Sequence, residues 1–294
     1  AEVEYEDITS TQIDVAFELV EVPNAPELVG AHVVIWTTTP WTIPVNQAIA
    51  YSGDEYTQVR IGDKRVIVAM ELLHDLLRRI GLGDATMDEN HPFWIDSQKD
   101  LQGPRWISGS LFAGAKARHP MHHLGGFYAT PRPLLPGDFV TTDSGTGLVH
   151  MAPDHGEDDF DLCKSAGIAP VFAVMDDGRY RDDWEWLGAS DVDSEGNGRR
   201  MSVINPKFNA PDGPICSDLR EAGALLAASA DYVHSYPHSW RSKAKVIFRA
   251  TAQWFVPMDS LQGILDGETL RETALKEIAR VEFIPEKGRN RIGA

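Results

Sequence analysis

The sequence predicts an α+β chain, mainly β with attached helices, and three observations carry that prediction. Apolar runs rich in β-branched and aromatic residues recur at 15–22, 32–39 and 56–69, and again near 138–150, 231–236 and 245–256. Helical spacing is confined to separated stretches at 70–80, 155–166, 213–228 and 266–279. Strands dominate the first half and no regular strand–helix alternation appears, so an antiparallel or mixed sheet is expected in place of a doubly wound one.

The elements follow in order. The strand from residue 32 should end at or beside Thr39, because Pro40 cannot donate to a ladder and restricts the residue before it. Ile61-Gly62-Asp63-Lys64 joins two alternating runs as a hairpin turn. Leu72, Leu73, Leu76, Leu77 and Ile80 share a helical face that Gly81 closes. Residues 84–136 read as loop-rich, with three His between 119 and 123, and Asp176–Arg200 reads as an Asp/Gly-rich surface excursion. The helix near 155 should start with Asp154 as its cap and Glu157 three residues later. On it Asp159, Leu162, Cys163 and Ala166 fall on one face. No internal repeat is present.

Bulk properties narrow the function. At 294 residues, 43% hydrophobic and 24% charged, the chain has the make-up of a globular protein of one large domain with room for an appendage. No run approaches 18 apolar residues, so no transmembrane helix is expected. The acidic start, without an apolar core or an initiator Met, reads as a fragment lacking a signal peptide. Cys163 and Cys216 stand far apart in no paired motif, as expected of reduced thiols in a cytoplasmic protein. A net charge of −17 disfavours a broad grip on nucleic acid, although Arg199-Arg200, Arg241 to Arg249 and Lys287 to Arg291 are local basic clusters.

Two segments concentrate chemistry. Residues 36–46, Trp-Thr-Thr-Thr-Pro-Trp-Thr-Ile-Pro-Val-Asn, place three consecutive hydroxyls at a strand end, where they can line a pocket and position a water. Strict alternation would split Thr37 and Thr39 from Thr38, so all three reach one pocket only if the strand ends or twists there. Residues 145–160 read Gly-Thr-Gly-Leu-Val-His-Met-Ala-Pro-Asp-His-Gly-Glu-Asp-Asp-Phe. There Asp159 sits on an apolar helical stripe, where an acid needs a partner: backbone donors, an Arg or a ligand's ammonium. His150 ends a strand-like run and can act as base, water ligand or wall. His150, His155, Asp158, Asp159 and Cys163 fit no standard zinc spacing, nor do His119, His122 and His123, and no metal is expected. Gly145-Thr146-Gly147 lacks the third glycine of a dinucleotide fingerprint and reads as a turn. No Gly-x-Ser-x-Gly nucleophile motif is present.

The first of these segments resembles the editing domain inserted into isoleucyl-tRNA synthetase. The related leucine and valine enzymes carry Thr-Thr-Arg-Pro there, whereas this chain has Thr38-Thr39-Pro40-Trp41. The second segment is similar to the family's second editing motif. Ser239 to Asp259 looks like its return segment. The three lie in family order, and the resemblance covers nearly the whole chain. His-x-Gly-His is absent, and Arg241-Ser242-Lys243-Ala244-Lys245 departs from Lys-Met-Ser-Lys-Ser, so amino-acid activation is not expected of this chain.

The resemblance implies a bacterial-type editing domain with a closed β-barrel core, over residues 1–245, and a return stem, 246–294, toward a missing catalytic domain. It implies hydrolysis of valine mischarged on isoleucine tRNA, and of valyl-adenylate as a second substrate. Asp159 would anchor the ammonium, and His150 would be a wall that admits valine and also bonds the substrate. Thr37, Thr38 and Thr39 would surround the ester, with Trp36, Thr42 and Asn46 nearby. Expected partners are the 3′ end of isoleucine tRNA, valine as ester or adenylate, and the rest of the parent synthetase in cis, with no membrane, no cofactor and a monomeric chain. The alternative is a module that binds valine or the aminoacylated tRNA end without hydrolysing it. Met151, Asp154 and Glu157 depart from the family's commoner Thr, Gly and Pro, and remove none of these roles.

Overall fold

The computed structural model describes residues 3–83, 106–186, 190–192, 198–260 and 267–292, in two compact units, 1–250 and 251–294. Most of the expected loop region at 84–136, up to residue 105, lies outside the described residues.

The first unit is built on a mixed ten-stranded sheet. Its strands are β1 (Val3–Glu21), β2 (His32–Thr37), β3 (Ala48–Tyr51), β4 (Glu55–Ile61), β5 (Lys64–Ala69), β6 (Trp106–Ser108), β7 (Lys116–Arg118), β8 (Arg132–Pro136) and β9 (Leu148–Met151). A short separate hairpin, β10 (Ser190–Val192) with β11 (Gly198–Arg200), precedes β12 (Leu225–Ser239), the tenth strand of the main sheet. The spatial order is β6-β4-β5-β2-β1-β7-β8-β3-β9, with β12 also on β1. The β2–β5 and β3–β8 pairs are parallel and the other pairs antiparallel.

Strand β1 organises this sheet. Its second half has one fully buried apolar face, Ile13, Val15, Phe17 and Leu19, with Asp14 and Glu18 on the other, and pairs with β2 and β7. Its first half pairs only with β12, from Val3↔Ser239 to Ser10↔Tyr232, as an exposed two-stranded ribbon. The β1 half of that ribbon carries no continuous apolar face, so hydrophobic patterning marks only the buried end of the strand.

Several expectations need correction. The sheet is not closed into a barrel: its path runs openly from β6 to β9. Closure fails where β5 meets the turn before β9, since Ala69 N donates to Thr146 O (2.9 Å) and no ladder follows. Gly147, at φ +71°, turns the chain away there, and a Cβ on it would stand 2.3 Å from that of Ala69. The expected strand from 138 is reduced to the four residues of β9, behind a series of turns. The expected helix at 213–228 ends at Glu221, because Gly223 takes φ +68° and β12 begins at Leu225. Residues 246–256 form no strand; only a single bridge, His238↔Lys245, is made. In the excursion after 176, Trp184 and Trp186 are buried, their indole N–H groups donating to Tyr128 Oη (3.0 Å) and Asp218 Oδ2 (2.6 Å).

Helices α1 (Leu73–Arg79), α2 (Glu157–Ser165), α3 (Pro206–Asn209) and α4 (Pro214–Glu221) flank the sheet. Arg79 at the end of α1 grips Asp14 of β1 with two bonds of 2.7 Å and donates to Gly145 O at 3.0 Å. The second unit carries α5 (Leu270–Arg280), near the expected 266–279, and a final turn α6 (Arg289–Ile292). Thr269 and Glu272 close a capping box on α5, and Arg271 pairs with Asp259 at 2.6 Å.

Candidate active site

A cavity of about 330 Å³ opens where β2, β9, α2 and β12 converge. Its walls include Trp36, Thr37, Thr38, Thr39, Thr42, His150 and Asp159, brought together from segments more than a hundred residues apart. The three threonines reach one cavity because β2 stops at Thr37 and the chain leaves the pleat before Pro40 starts a buried 3-10 turn, Pro40–Val45. Thr39 N donates to Thr37 Oγ1 (3.0 Å), closing a small loop that turns Thr38 to the same side.

That turn also fixes His150. Thr42 Oγ1 has one proton and gives it to Thr39 O (2.8 Å), so its 3.0 Å contact with His150 Nε2 requires the imidazole N–H to donate. His150 therefore carries its proton on Nε2, and its Nδ1 is buried without a partner. Burial pushes its pKa down to about 4, so the ring is neutral at physiological pH.

Asp159 stands in the first turn of α2, where Ala152 N donates to its Oδ2 at 2.7 Å. Burial raises its carboxyl to about 6, with the neighbouring charge of Asp158 adding to the rise and no basic side chain lowering it. Gly156 permits this placement: a Cβ there would lie 2.9 Å from the Asp159 carboxyl. Of the two structural partners envisaged for this acid, a backbone donor is present. An Arg is not.

Asp154 is not the cap of α2. The helix starts after Gly156, and Asp154 Oδ2 accepts from Val171 N (3.1 Å) and Phe172 N (2.9 Å) while its carbonyl receives Ala250 N (2.7 Å). It ties the motif to two distant segments. Asn46 is fully buried and lies outside the cavity wall, its Nδ2 donating to Ala48 O at 2.8 Å, so it sets the path from the turn into β3.

Trp41, His155, Tyr236 and Phe248 are among the lining residues that were not predicted. Trp41 packs its ring at 4.6 Å, edge on, against His155, which was weighed only as a metal ligand. His155 donates Nδ1–H to Phe248 O (2.8 Å), because a carbonyl can only accept. Tyr236 and Phe248 complete the wall. Tyr236 had a visible signal, the alternation Tyr232, His234, Tyr236, His238, which puts four rings on one face of a strand with neighbouring centroids 5.6–5.9 Å apart. Phe248 had none, since it enters through a main-chain oxygen. His119 is separately satisfied, between Ile43 O (2.9 Å) and Met121 N (3.0 Å). Among the described residues, no group of three or more His, Cys, Asp or Glu is arranged to hold a metal, and no helix is long and apolar enough to cross a membrane.

Comparison with known proteins gives a consistent result. No family model matches the chain. An isoleucine–tRNA ligase of Zymomonas mobilis is 53% identical over 296 residues, covering 99% of this chain and 28% of its own length. One of Gluconobacter oxydans is 42% identical over 305 residues, with the same coverage of 99% and 28%. One of Caulobacter vibrioides is 39% identical, covering 100% of this chain and 29% of its own. The chain thus spans less than a third of the length of the curated relatives it matches. A solved structure of GlLeuRS-CP1 overlays 72% of this chain and 82% of its own at a TM-score of 0.36 and 16% identity.

Proposed function

Because the chain belongs, as one segment, to the isoleucine–tRNA ligase (isoleucyl-tRNA synthetase) family, we propose that it is the segment that removes wrongly attached valine. The observation that carries this reading is the cavity itself. Three hydroxyls, a neutral imidazole and a carboxylate without a basic partner meet on one wall system, from the two sequence motifs singled out above.

Each group has a task that its surroundings support. The Asp159 carboxylate receives the α-ammonium of an aminoacyl ester, a partner that compensates its burial. His150, pinned by Thr42, closes the side-chain end of the cavity. Valine and isoleucine differ by one methylene, worth about 1–3 kcal/mol to a binding pocket, a limit for which this enzyme family is itself the worked example. A second cavity that excludes the larger residue by volume removes that limit. Thr37, Thr38 and Thr39 hold the ester and a water. The water oxygen attacks the carbonyl carbon, the ester bond to the ribose oxygen breaks, and the water's proton ends on that ribose hydroxyl. An aminoacyl ester is labile, so orientation supplies most of what the step needs. The substrates are valine on the 3′ end of isoleucine tRNA and, as a second route, valyl-adenylate. Residues 251–294 are proposed as the return stem toward the rest of the parent enzyme.

The test is release of amino acid from valyl- and isoleucyl-esters of isoleucine tRNA, with and without chelator. Preferential valine release that is insensitive to chelator and lost in Asp159→Ala is the expected result. An Asp159→Ala chain with full activity removes that residue from the mechanism. Binding of a non-hydrolysable valyl-adenosine analogue without turnover of either ester makes the isolated chain a binding module.

A further inference from the structure

The buried turn Pro40–Val45 brings Trp41 and Thr42 to the cavity, and Thr42 in turn holds His150. In a 3-10 turn the N–H of residue 44 meets the carbonyl of residue 41, but here residue 44 is a proline with no N–H to give. A buried carbonyl left in that way needs a donor from elsewhere. Tyr180 supplies it, its hydroxyl donating to Trp41 O. The peptide unit between Trp41 and Thr42 is thereby held at both ends, since Thr42 N donates to Thr39 O at 3.1 Å. Two more buried side chains hold the far end of the turn: His119 Nε2–H donates to Ile43 O (2.9 Å) and Tyr128 Oη to Pro44 O (2.8 Å).

Tyr180 is itself firmly placed. Met175 N donates to Arg179 O (2.7 Å) and Arg181 N to Ala173 O (2.8 Å), a short hairpin that turns through Gly178 at φ +73°. The Tyr180 ring meets Trp186 edge on at 5.4 Å and Phe208 at 6.2 Å. Burial pushes its phenol well above the ordinary range, so the proton that the bond needs stays in place.

We propose that Tyr180 is a positioning residue for the editing cavity: by replacing the N–H that Pro44 lacks, it fixes the peptide unit that carries Thr42 and, through Thr42, the His150 ring that closes the side-chain end. The inference rests on the editing reading of that cavity. Tyr180 is not one of the lining residues, so it acts through the turn alone. Valine and isoleucine differ by one methylene, and a small displacement of that wall decides between them. The Asp/Gly-rich excursion after 176 thus contributes to selectivity without touching the ligand.

The experiment measures binding of non-hydrolysable valyl- and isoleucyl-adenosine analogues to the full 294-residue chain, which should prefer the valyl compound. Tyr180→Phe keeps the ring and deletes the donor. It should narrow the preference about tenfold by admitting the isoleucyl analogue, with valyl affinity within about twofold of the parent chain. Adding Pro44→Ala returns an N–H to the turn and should recover most of the preference. Val66→Ala, at a fully buried position of β5, should lower stability and leave the preference unchanged. A preference that survives Tyr180→Phe, is lost there but not recovered by Pro44→Ala, or narrows equally in Val66→Ala overturns the role. A parent chain that binds the two analogues equally, or neither of them, would instead strike the editing reading beneath it.

Discussion

Asp159 carries a cost that the proposed ammonium contact would offset. Its carboxyl titrates near 6 in the folded chain against an ordinary 3.8, because burial penalises the charge. Between those values the folded chain holds a proton that the unfolded chain has released, so stability falls as pH rises through that window, and the full penalty stands above about pH 6. Asp159→Asn keeps an acceptor for Ala152 N and removes the penalty. It should raise unfolding stability by about 3 kcal/mol at pH 8 and by less at pH 5, while hydrolysis is lost. Urea titrations at the two pH values read the difference, and an equal or negative change at pH 8 would contradict the burial argument. In the proposed role, the same titration governs ligand capture. Affinity for a valyl-adenosine analogue should fall about tenfold per pH unit below 6, as the anchor becomes neutral. His150 and His155, both pushed down to about 4, stay neutral in the folded chain between pH 6 and 5, so they do not mask the first step of this fall.

At the scale of the element, the Asp14–Arg79 pair joins β1, the end of α1 and the turn before β9. Asp14 is 1% exposed, and its carboxyl is still raised by burial despite the arginine. Arg79→Met strands that carboxylate and should cost about 3–5 kcal/mol in chemical denaturation. Adding Asp14→Leu should recover most of the loss, and failure to do so would mean that the bond to Gly145 O is what matters. Neither partner stood out in the sequence, because a pairing across 65 positions leaves no local pattern. What was legible was local. The hairpin at Gly62-Asp63, the helix after Met70 and the helix near 266–279 follow turn chemistry and helical spacing, and the structure holds all three. The stretch from Leu225 misled because alanines and leucines favour helix, and its pairing with β1 overrode that propensity. The threonine run, His150 and Asp159 were legible as chemistry. Their cavity mates Tyr236 and Phe248 belong to the returning chain, whose approach no local pattern encodes.

For the whole molecule, the division at residue 250 leaves all the residues that line the cavity in the first unit. A chain ending after Ala250 should bind the valyl-adenosine analogue as the full chain does. One ending after Ala244 loses the Phe248 carbonyl that orients His155 and the Ala250 N–H that meets Asp154, and should bind at least tenfold more weakly. Isothermal titration of the two truncations separates these outcomes, and equal affinity would remove residues 245–250 from the site. The overall acidity predicts weak capture of intact tRNA by this segment alone, with the salt dependence of very few phosphate contacts.

The ribbon of β1 and β12 gives the molecule a mechanical character. Val3 and Ser239 stand opposite one another at its free end, so tension that separates them loads the ladder one pair of bonds at a time. Such a geometry opens like a zipper and yields at low force, whereas the buried half of β1, held on both sides, would be loaded last. Under a pull that separates Val3 from Ser239, the ribbon would lengthen and reclose while the body and its cavity keep their shape. In an optical-tweezers trace this is a compliant, reversible extension at low force, followed by a single brittle rupture of the sheet.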